Sequence, residues 1–265
     1  MKDKAHSACP RSSFKLFDSH LHIIDPHFPL TPNQGYLPEP FTCDDYLARM
    51  RGYNLVGGAV VSGSFQAFDQ GYLIDALCRL GPGFVGVTQL PATVGDDEIL
   101  ALNQSGVRAL RFNLQRGGSE DIQHLDRLAR RVHELAGWHV ELYADAKALV
   151  DLSTALIHLP AVSIDHLGLS REGLPTLLKL VEQGIHVKAT GFGRVNYDVA
   201  QALRALYAAN PDALMFGTDL PSTRAPRPYQ ESDLELVIES LGEERAGKVL
   251  HDNARRFYRC CEGGL

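Results

Sequence analysis

No stretch of the 265 residues reaches the roughly 18 to 20 consecutive apolar positions that a membrane helix needs. Runs of Lys or Arg are also missing, and 26 basic against 32 acidic residues leave a formal charge of −6. That balance argues against non-specific nucleic-acid binding, while a local basic cleft for a small anion stays open. Cysteine is scarce: its five copies are odd in number and form no C-x-x-C pair. This sets aside a disulfide scaffold and a zinc knuckle, and points to a reducing cytoplasm. The first 15 residues, MKDKAHSACPRSSFK, are basic but carry no apolar segment of the secretory kind. They read as a leader, 1–15, ahead of one domain, 16–265. Low-complexity tracts and Pro/Ser-rich linkers are absent, and 45% hydrophobic with 22% charged residues make a folded globule the expectation.

What is present is a rhythm. Eight apolar, β-rich runs appear: LFDSHLHI (16–23), VGGAVVSG (56–63), FVGVTQL (84–90), VRALRFNL (107–114), HVELYAD (139–145), VSIDHLG (162–168), IHVKATG (185–191) and LMFGTDLP (214–221). Segments of helical spacing lie between them. In DIQHLDRLARRVHELAG (121–137), Ile122, Leu125, Leu128, Val132 and Leu135 recur every three or four residues among charged neighbours. Eight strand–helix units in a chain of this size predict an α/β fold, a single-domain (β/α)8 TIM barrel. A doubly wound sheet is the weaker alternative, because no G-x-G-x-x-G follows the first run.

Function in such a barrel resides at the C-terminal ends of the strands. The first run ends Asp18-Ser19-His20-Leu21-His22, and strand alternation sends His20 and His22 to the same side. Two imidazoles so placed suit metal ligation or carbonyl polarisation. The sixth run adds His166 in Ile164-Asp165-His166, and the eighth adds Asp219 in Gly217-Thr218-Asp219-Leu220-Pro221. An Asp before Leu-Pro also suits a turn. Strand eight neighbours strand one in a closed barrel, which favours a shared site.

These residues resemble the amidohydrolase superfamily and, within it, the 2-pyrone-4,6-dicarboxylate lactonase branch. The motifs that carry the resemblance are DSHLHIID (18–25), GVRALRFNL (106–114), IDHLG (164–168), VKATG (187–191), GTDLP (217–221) and NARRFY (253–258). The wider superfamily commonly holds two metals through a carboxylated Lys on strand four and a His on strand five. Here strand four ends Arg111-Phe112-Asn113 and strand five carries Tyr143. The remaining set of His20, His22, His166 and Asp219 could hold one divalent ion, zinc or manganese. Resemblance to the lactonase branch implies that no cofactor is required.

A small dicarboxylate or lactone substrate would need fixed cations, and Arg grips a carboxylate with a planar fork. Arg111, Arg116 and Arg194 fall on the catalytic face, with Tyr36 and Tyr143 as hydroxyl donors. Arg224 and Arg227, in the Pro-rich loop after strand eight, are further candidates for anion contacts. Lys188 is expected in an ion pair of the lower barrel, and Asp18 and Asp165 as orienting groups. The expected chemistry is hydrolysis of a carboxylated lactone, with Asp219 as general base and His20, His22 and His166 polarising the carbonyl. The alternatives are a metal-dependent hydrolase or decarboxylase on the same four residues, and a non-catalytic barrel that binds a small carboxylate. A nucleic-acid or membrane partner is not expected, and a homo-oligomer is left open.

Overall fold

The computed structural model describes residues 10–260. Most of the expected leader, residues 1–9, lies outside them. A single helical turn at Pro10–Ser13 precedes β1 (Lys15–Leu21), so the barrel begins one residue earlier than expected. The strands that follow are β2 (Asn54–Val61), β3 (Phe84–Thr88), β4 (Val107–Asn113), β5 (His139–Tyr143), β6 (Val162–Ile164), β7 (His186–Ala189) and β8 (Leu214–Phe216). They form one parallel sheet in the order β1 to β8. A parallel bridge between Leu21 and Leu220 closes the ring. This is the expected TIM barrel.

A helix follows each strand: α1 (Cys43–Arg49), α2 (Gly71–Leu80), α3 (Asp96–Gln104), α4 (Leu125–Ala136), α5 (Ser153–Ile157), α6 (Leu174–Glu182), α7 (Val199–Ala209) and α8 (Glu231–Leu241), and a C-terminal helical segment adds α9 (Glu243–Gly247) and α10 (Asn253–Phe257). α4 shows how the sequence dictates them. Leu125, Leu128, Ala129 and Val132 are buried on one face, and Gly137 ends the helix in the left-handed region at φ 66°. The preceding residues 122–124 wind as a tighter 3-10 turn capped by Asp121, so the predicted helix is confirmed with a tightened start. No helix among the described residues is long and apolar enough to cross a membrane.

The apolar core has two parts. A large shell lies between strands and helices, and a smaller cluster of Phe17, Ala59, Val61, Val85, Val87, Ala109 and Met215 fills the lower barrel together with Ala254 and Tyr258 from the C-terminal helical segment. The upper barrel is polar. Several strands stop earlier than the sequence runs suggest, because their last residues peel into turns that carry the site. β6 ends at Ile164, and His166 then sits in a 3-10 turn with φ +50°.

Candidate active site

β1 delivers the two histidines through an irregularity. Its pairing with β2 advances from Asp18 opposite Gly58 to Leu21 opposite Val60, so one extra residue enters β1 at this point. His20 and His22 both lie at the barrel mouth, fully or almost fully buried, with ring centroids 5.0 Å apart. His166 joins them 4.8 Å from His20. β8 is tied to β1 by Asp219 N–H donating to the His20 carbonyl (2.7 Å) and His22 N–H donating to the Leu220 carbonyl (2.8 Å). Asp18 makes the same join from below. Its carboxylate accepts from the Thr218 amide (2.8 Å), the Thr218 hydroxyl (2.6 Å) and Tyr46 (3.1 Å). It therefore orients the strand ends, and burial pushes its carboxyl up to about 6.

Asp219 is buried, at φ +60°, a strained conformation for a residue with a Cβ. Its Oδ2 accepts from Arg194 Nε at 2.8 Å, while Oδ1 has no hydrogen-bond partner. Oδ1 stands 3.7 Å from His22 Nε2 and 3.9 Å from His20 Nε2, too far for direct hydrogen bonds. Burial alone would raise this carboxyl. The Arg194 guanidinium outweighs it, with His166 contributing in the same direction, and holds Asp219 well below the usual carboxylate range. His166 is pushed down to about 3 by burial, so it is a neutral imidazole, and its Nδ1 meets the Thr190 hydroxyl at 2.7 Å. Thr190, which closes the VKATG run, went unremarked in the sequence; its signal was the rule that singled out the other strand-closing polar residues.

Beneath the histidines lies a buried ionic layer. Lys188, fully buried, contacts Glu141 Oε2 at 2.5 Å, with Asp165 Oδ1 at 3.8 Å and His20 Nδ1 at 3.3 Å. Glu141 also accepts from the Tyr258 hydroxyl, and it is held down at about 2 because Lys188 and His139 overcome the effect of burial. Asp165 Oδ2 accepts from Arg111 Nε (3.2 Å) and Nη2 (2.8 Å), and Arg111 Nη1 donates to the Ser62 carbonyl. Lys188 thus lies in the expected ion pair and also reaches a site histidine.

Above this layer opens a narrow cleft whose walls include His22, Tyr36, Arg111, Arg116, Tyr143, His166, Arg194 and Arg224. Every residue expected to bind substrate therefore borders one space, but the arginines differ in availability. Arg111 and Arg194 already engage Asp165 and Asp219. Arg116 is half-buried, and its guanidinium has no hydrogen bond or ion pair among the described residues. Arg224, named only as a further candidate, packs its guanidinium 4.3 Å from the Tyr36 ring centre and hydrogen-bonds Asn33. Asn33 also donates to the Arg116 carbonyl, which joins the loops after β1, β4 and β8 over the cleft. Arg227 pairs with Asp233 instead. Asn113 lines the cleft as well, at the end of the fourth run, where the sequence drew attention only to Arg111.

Two groups of donors lie close enough to share an ion: His20, His22 and Asp219, and His20, Asp165 and His166. In type they suit zinc or manganese. Their neighbours do not. The Lys188 ammonium faces His20 Nδ1, Arg194 holds Asp219 Oδ2, and Arg111 occupies Asp165 Oδ2. These fixed cations already neutralise the carboxylates and repel a divalent ion at short range. Asp219 Oδ1 and His20 Nε2 are themselves unbonded, so what opposes a resident cation is the fixed charge of Lys188, Arg194 and Arg111 around the group, and no chemical step is routed through one.

The model of the family described as Amidohydrolase matches residues 17–260. A 4-sulfomuconolactone hydrolase of Rhizobium radiobacter is 27% identical, over 91% of this chain and 89% of its own length. A 2-pyrone-4,6-dicarboxylate hydrolase of Comamonas testosteroni is also 27% identical, over 94% of this chain and 92% of its own. Among solved structures, a Pseudomonas putida protein with the provisional name 2-pyrone-4,6-dicarboxylic acid hydrolase superposes with TM-score 0.76 at 27% identity, covering 92% of this chain and 97% of that one. An apo crystal structure from Agrobacterium tumefaciens shares the fold, with TM-score 0.81 at 21% identity over 95% and 98% of the two chains. With the family match spanning nearly the whole barrel and the His20, His22, His166 and Asp219 constellation at its mouth, the chain belongs to the amidohydrolase family and is a hydrolase.

Proposed function

We propose that the chain opens a carboxylated lactone of the 2-pyrone-4,6-dicarboxylate kind, with no metal required. The observation that carries this reading is the unpartnered, buried Oδ1 of Asp219 beneath a cleft bordered by four arginines. Two relatives named for lactone substrates support it.

In the proposed reaction, Asp219 Oδ1 takes a proton from water as the water oxygen attacks the lactone carbonyl carbon. The carbonyl oxygen gains charge and accepts hydrogen bonds from those imidazole N–H groups that face it. Collapse of the tetrahedral intermediate breaks the ring C–O bond, and the proton held by Asp219 passes to the leaving oxygen. Because Arg194 keeps Asp219 weakly basic, much of the acceleration must come from stabilising the oxyanion, a contribution commonly of several kcal/mol when donors are preorganised. Arg116, Arg224 and Tyr36 form the outer anion subsite. Arg111, Arg194 and Tyr143 line its floor, where they hold the reacting end of the substrate through charge and hydroxyl contacts.

A panel of carboxylated pyrones, sugar lactones and neutral lactones, followed by loss of the lactone chromophore or by acid release, tests the reading. Charged pyrones should be preferred in kcat/KM. Equal kcat/KM for a neutral lactone would count against the arginine cleft as the source of specificity. The metal-dependent alternative rests on the two donor clusters, and restoration of activity by zinc after chelation would favour it.

A further inference from the structure

His20 and His22 look equivalent in the H-x-H motif, yet their surroundings differ. His22 Nδ1 lies 2.7 Å from the Val61 carbonyl oxygen, which can only accept. That bond puts the His22 proton on Nδ1 and leaves Nε2 as a lone pair. His20 Nδ1 lies 3.3 Å from Lys188 Nζ, an ammonium that can only donate. The other group near His20 Nδ1 is Asp165 Oδ1 at 3.6 Å, beyond hydrogen-bond range.

We infer that Lys188 is a positioning residue that holds His20 in the tautomer with its proton on Nε2, opposite to His22. His20 then serves as a hydrogen-bond donor beside Asp219 and has no lone pair there for a metal. A further observation agrees: His20 Nε2 is buried without a partner, as a donor reserved for substrate would be.

The support for Lys188 extends across the barrel. Tyr258 donates to Glu141 Oε1, Glu141 Oε2 takes the Lys188 ammonium, and Lys188 reaches His20. The C-terminal NARRFY motif thereby fixes a proton position at the opposite end of the barrel. Metal binding through His20 Nε2 would require its proton to move to Nδ1, facing an ammonium. Second-sphere partners of this kind commonly change metal affinity 10- to 100-fold. The inference bears on how the proposed hydrolysis runs without metal, but its test reads no substrate.

Long-range proton–nitrogen NMR spectra of the uniformly 15N-labelled full chain at pH 7, assigned with His20→Gln and His22→Gln, read both tautomers in the unmodified protein. His20 should carry its proton on Nε2 and His22 on Nδ1. A proton on His20 Nδ1 would overturn the inference, whatever the lactone assays give. The second measurement is zinc affinity by competition with a chromophoric chelator. The double variant Lys188→Met, Glu141→Gln removes the ammonium without stranding its buried partner. It should bind zinc about 10- to 100-fold more tightly than the unmodified chain, and its His20 proton should shift to Nδ1. Unchanged zinc affinity and tautomer in a folded double variant would refute the role of Lys188. If that variant does not fold, the spectra of the unmodified chain decide alone.

Discussion

In the proposed mechanism Asp219 concentrates the chemistry in one carboxylate whose two oxygens have different duties. Oδ2 is fixed by Arg194 and Oδ1 is unpartnered. Replacing it by Asn keeps the shape and removes the base, so kcat should fall by about 10² to 10⁴ in a protein that still folds. Arg194 also determines the pH response. Against the effect of burial, it holds Asp219 ionised well below the usual range, so Asp219 should impose no acid limb between pH 7 and 5. Asp18, pushed up to about 6, titrates in that window, so the profile is read in Asp18→Asn, where a kcat/KM that still drops with the titration of one carboxyl would contradict the assignment. The arginines divide by the same logic. Arg111→Met strands the fully buried Asp165 and should cost about 3 to 5 kcal/mol of stability, measured by urea unfolding. Arg116→Met breaks no ion pair and should leave stability within about 0.5 kcal/mol. It should instead weaken binding of a charged lactone by roughly 1.5 to 3 kcal/mol, seen in KM.

The site depends on how β1 and β8 meet as elements. The added residue in β1, the turn that carries His166 at φ +50° and Asp219 at φ +60° are departures from regular strand, and all occur where side chains must converge. Gly217 permits the close approach. A Cβ there would lie 2.6 Å from the His20 amide nitrogen and 2.8 Å from Thr190 Cγ2. Gly217→Ala should therefore destabilise the fold by about 1 to 3 kcal/mol. Because the clash bears on β1 itself, kcat should fall as well. A variant with full activity and unchanged melting would show that the strands tolerate more separation than this packing implies. The strands were legible in the sequence because alternation and β-rich composition are local signals, and His20, His22 and Asp219 were legible as polar residues closing such runs. Strand ends were less so. Whether the residues after Ile164 continue as strand or curl into a turn is decided by contacts such as His166 with Thr190, 24 residues away.

At the scale of the whole molecule, the barrel is apolar below, ionic in the middle and open to an arginine-lined cleft above. Sequence spacing revealed the barrel and the arginines, but it could not show which arginines were already paired. Arg111 with Asp165, and Lys188 with Glu141 and His20, are contacts between separate strands, and nothing local distinguishes a paired Arg from a free one. The buried layer has a measurable global consequence. Glu141, held down at about 2 as Lys188 overcomes burial, contributes stability that is fully present above its unfolded value near 4.5 and is lost as pH falls toward 2. Urea midpoints should therefore drop between pH 5 and 3, and a flat profile would mean that the layer is not ionised as described.

Central to the proposed function is that Asp219 drives hydrolysis of a carboxylated lactone without a metal. Its most direct test is the rate of ring opening of 2-pyrone-4,6-dicarboxylate by the unmodified chain and by Asp219→Asn, both stripped of metal with removal verified. The stripped unmodified chain should turn over, with no gain on adding zinc or manganese, and the variant should lose about 10² to 10⁴ in rate. Activity that disappears on stripping and returns with metal, or an Asp219→Asn variant as fast as the unmodified chain, would contradict it.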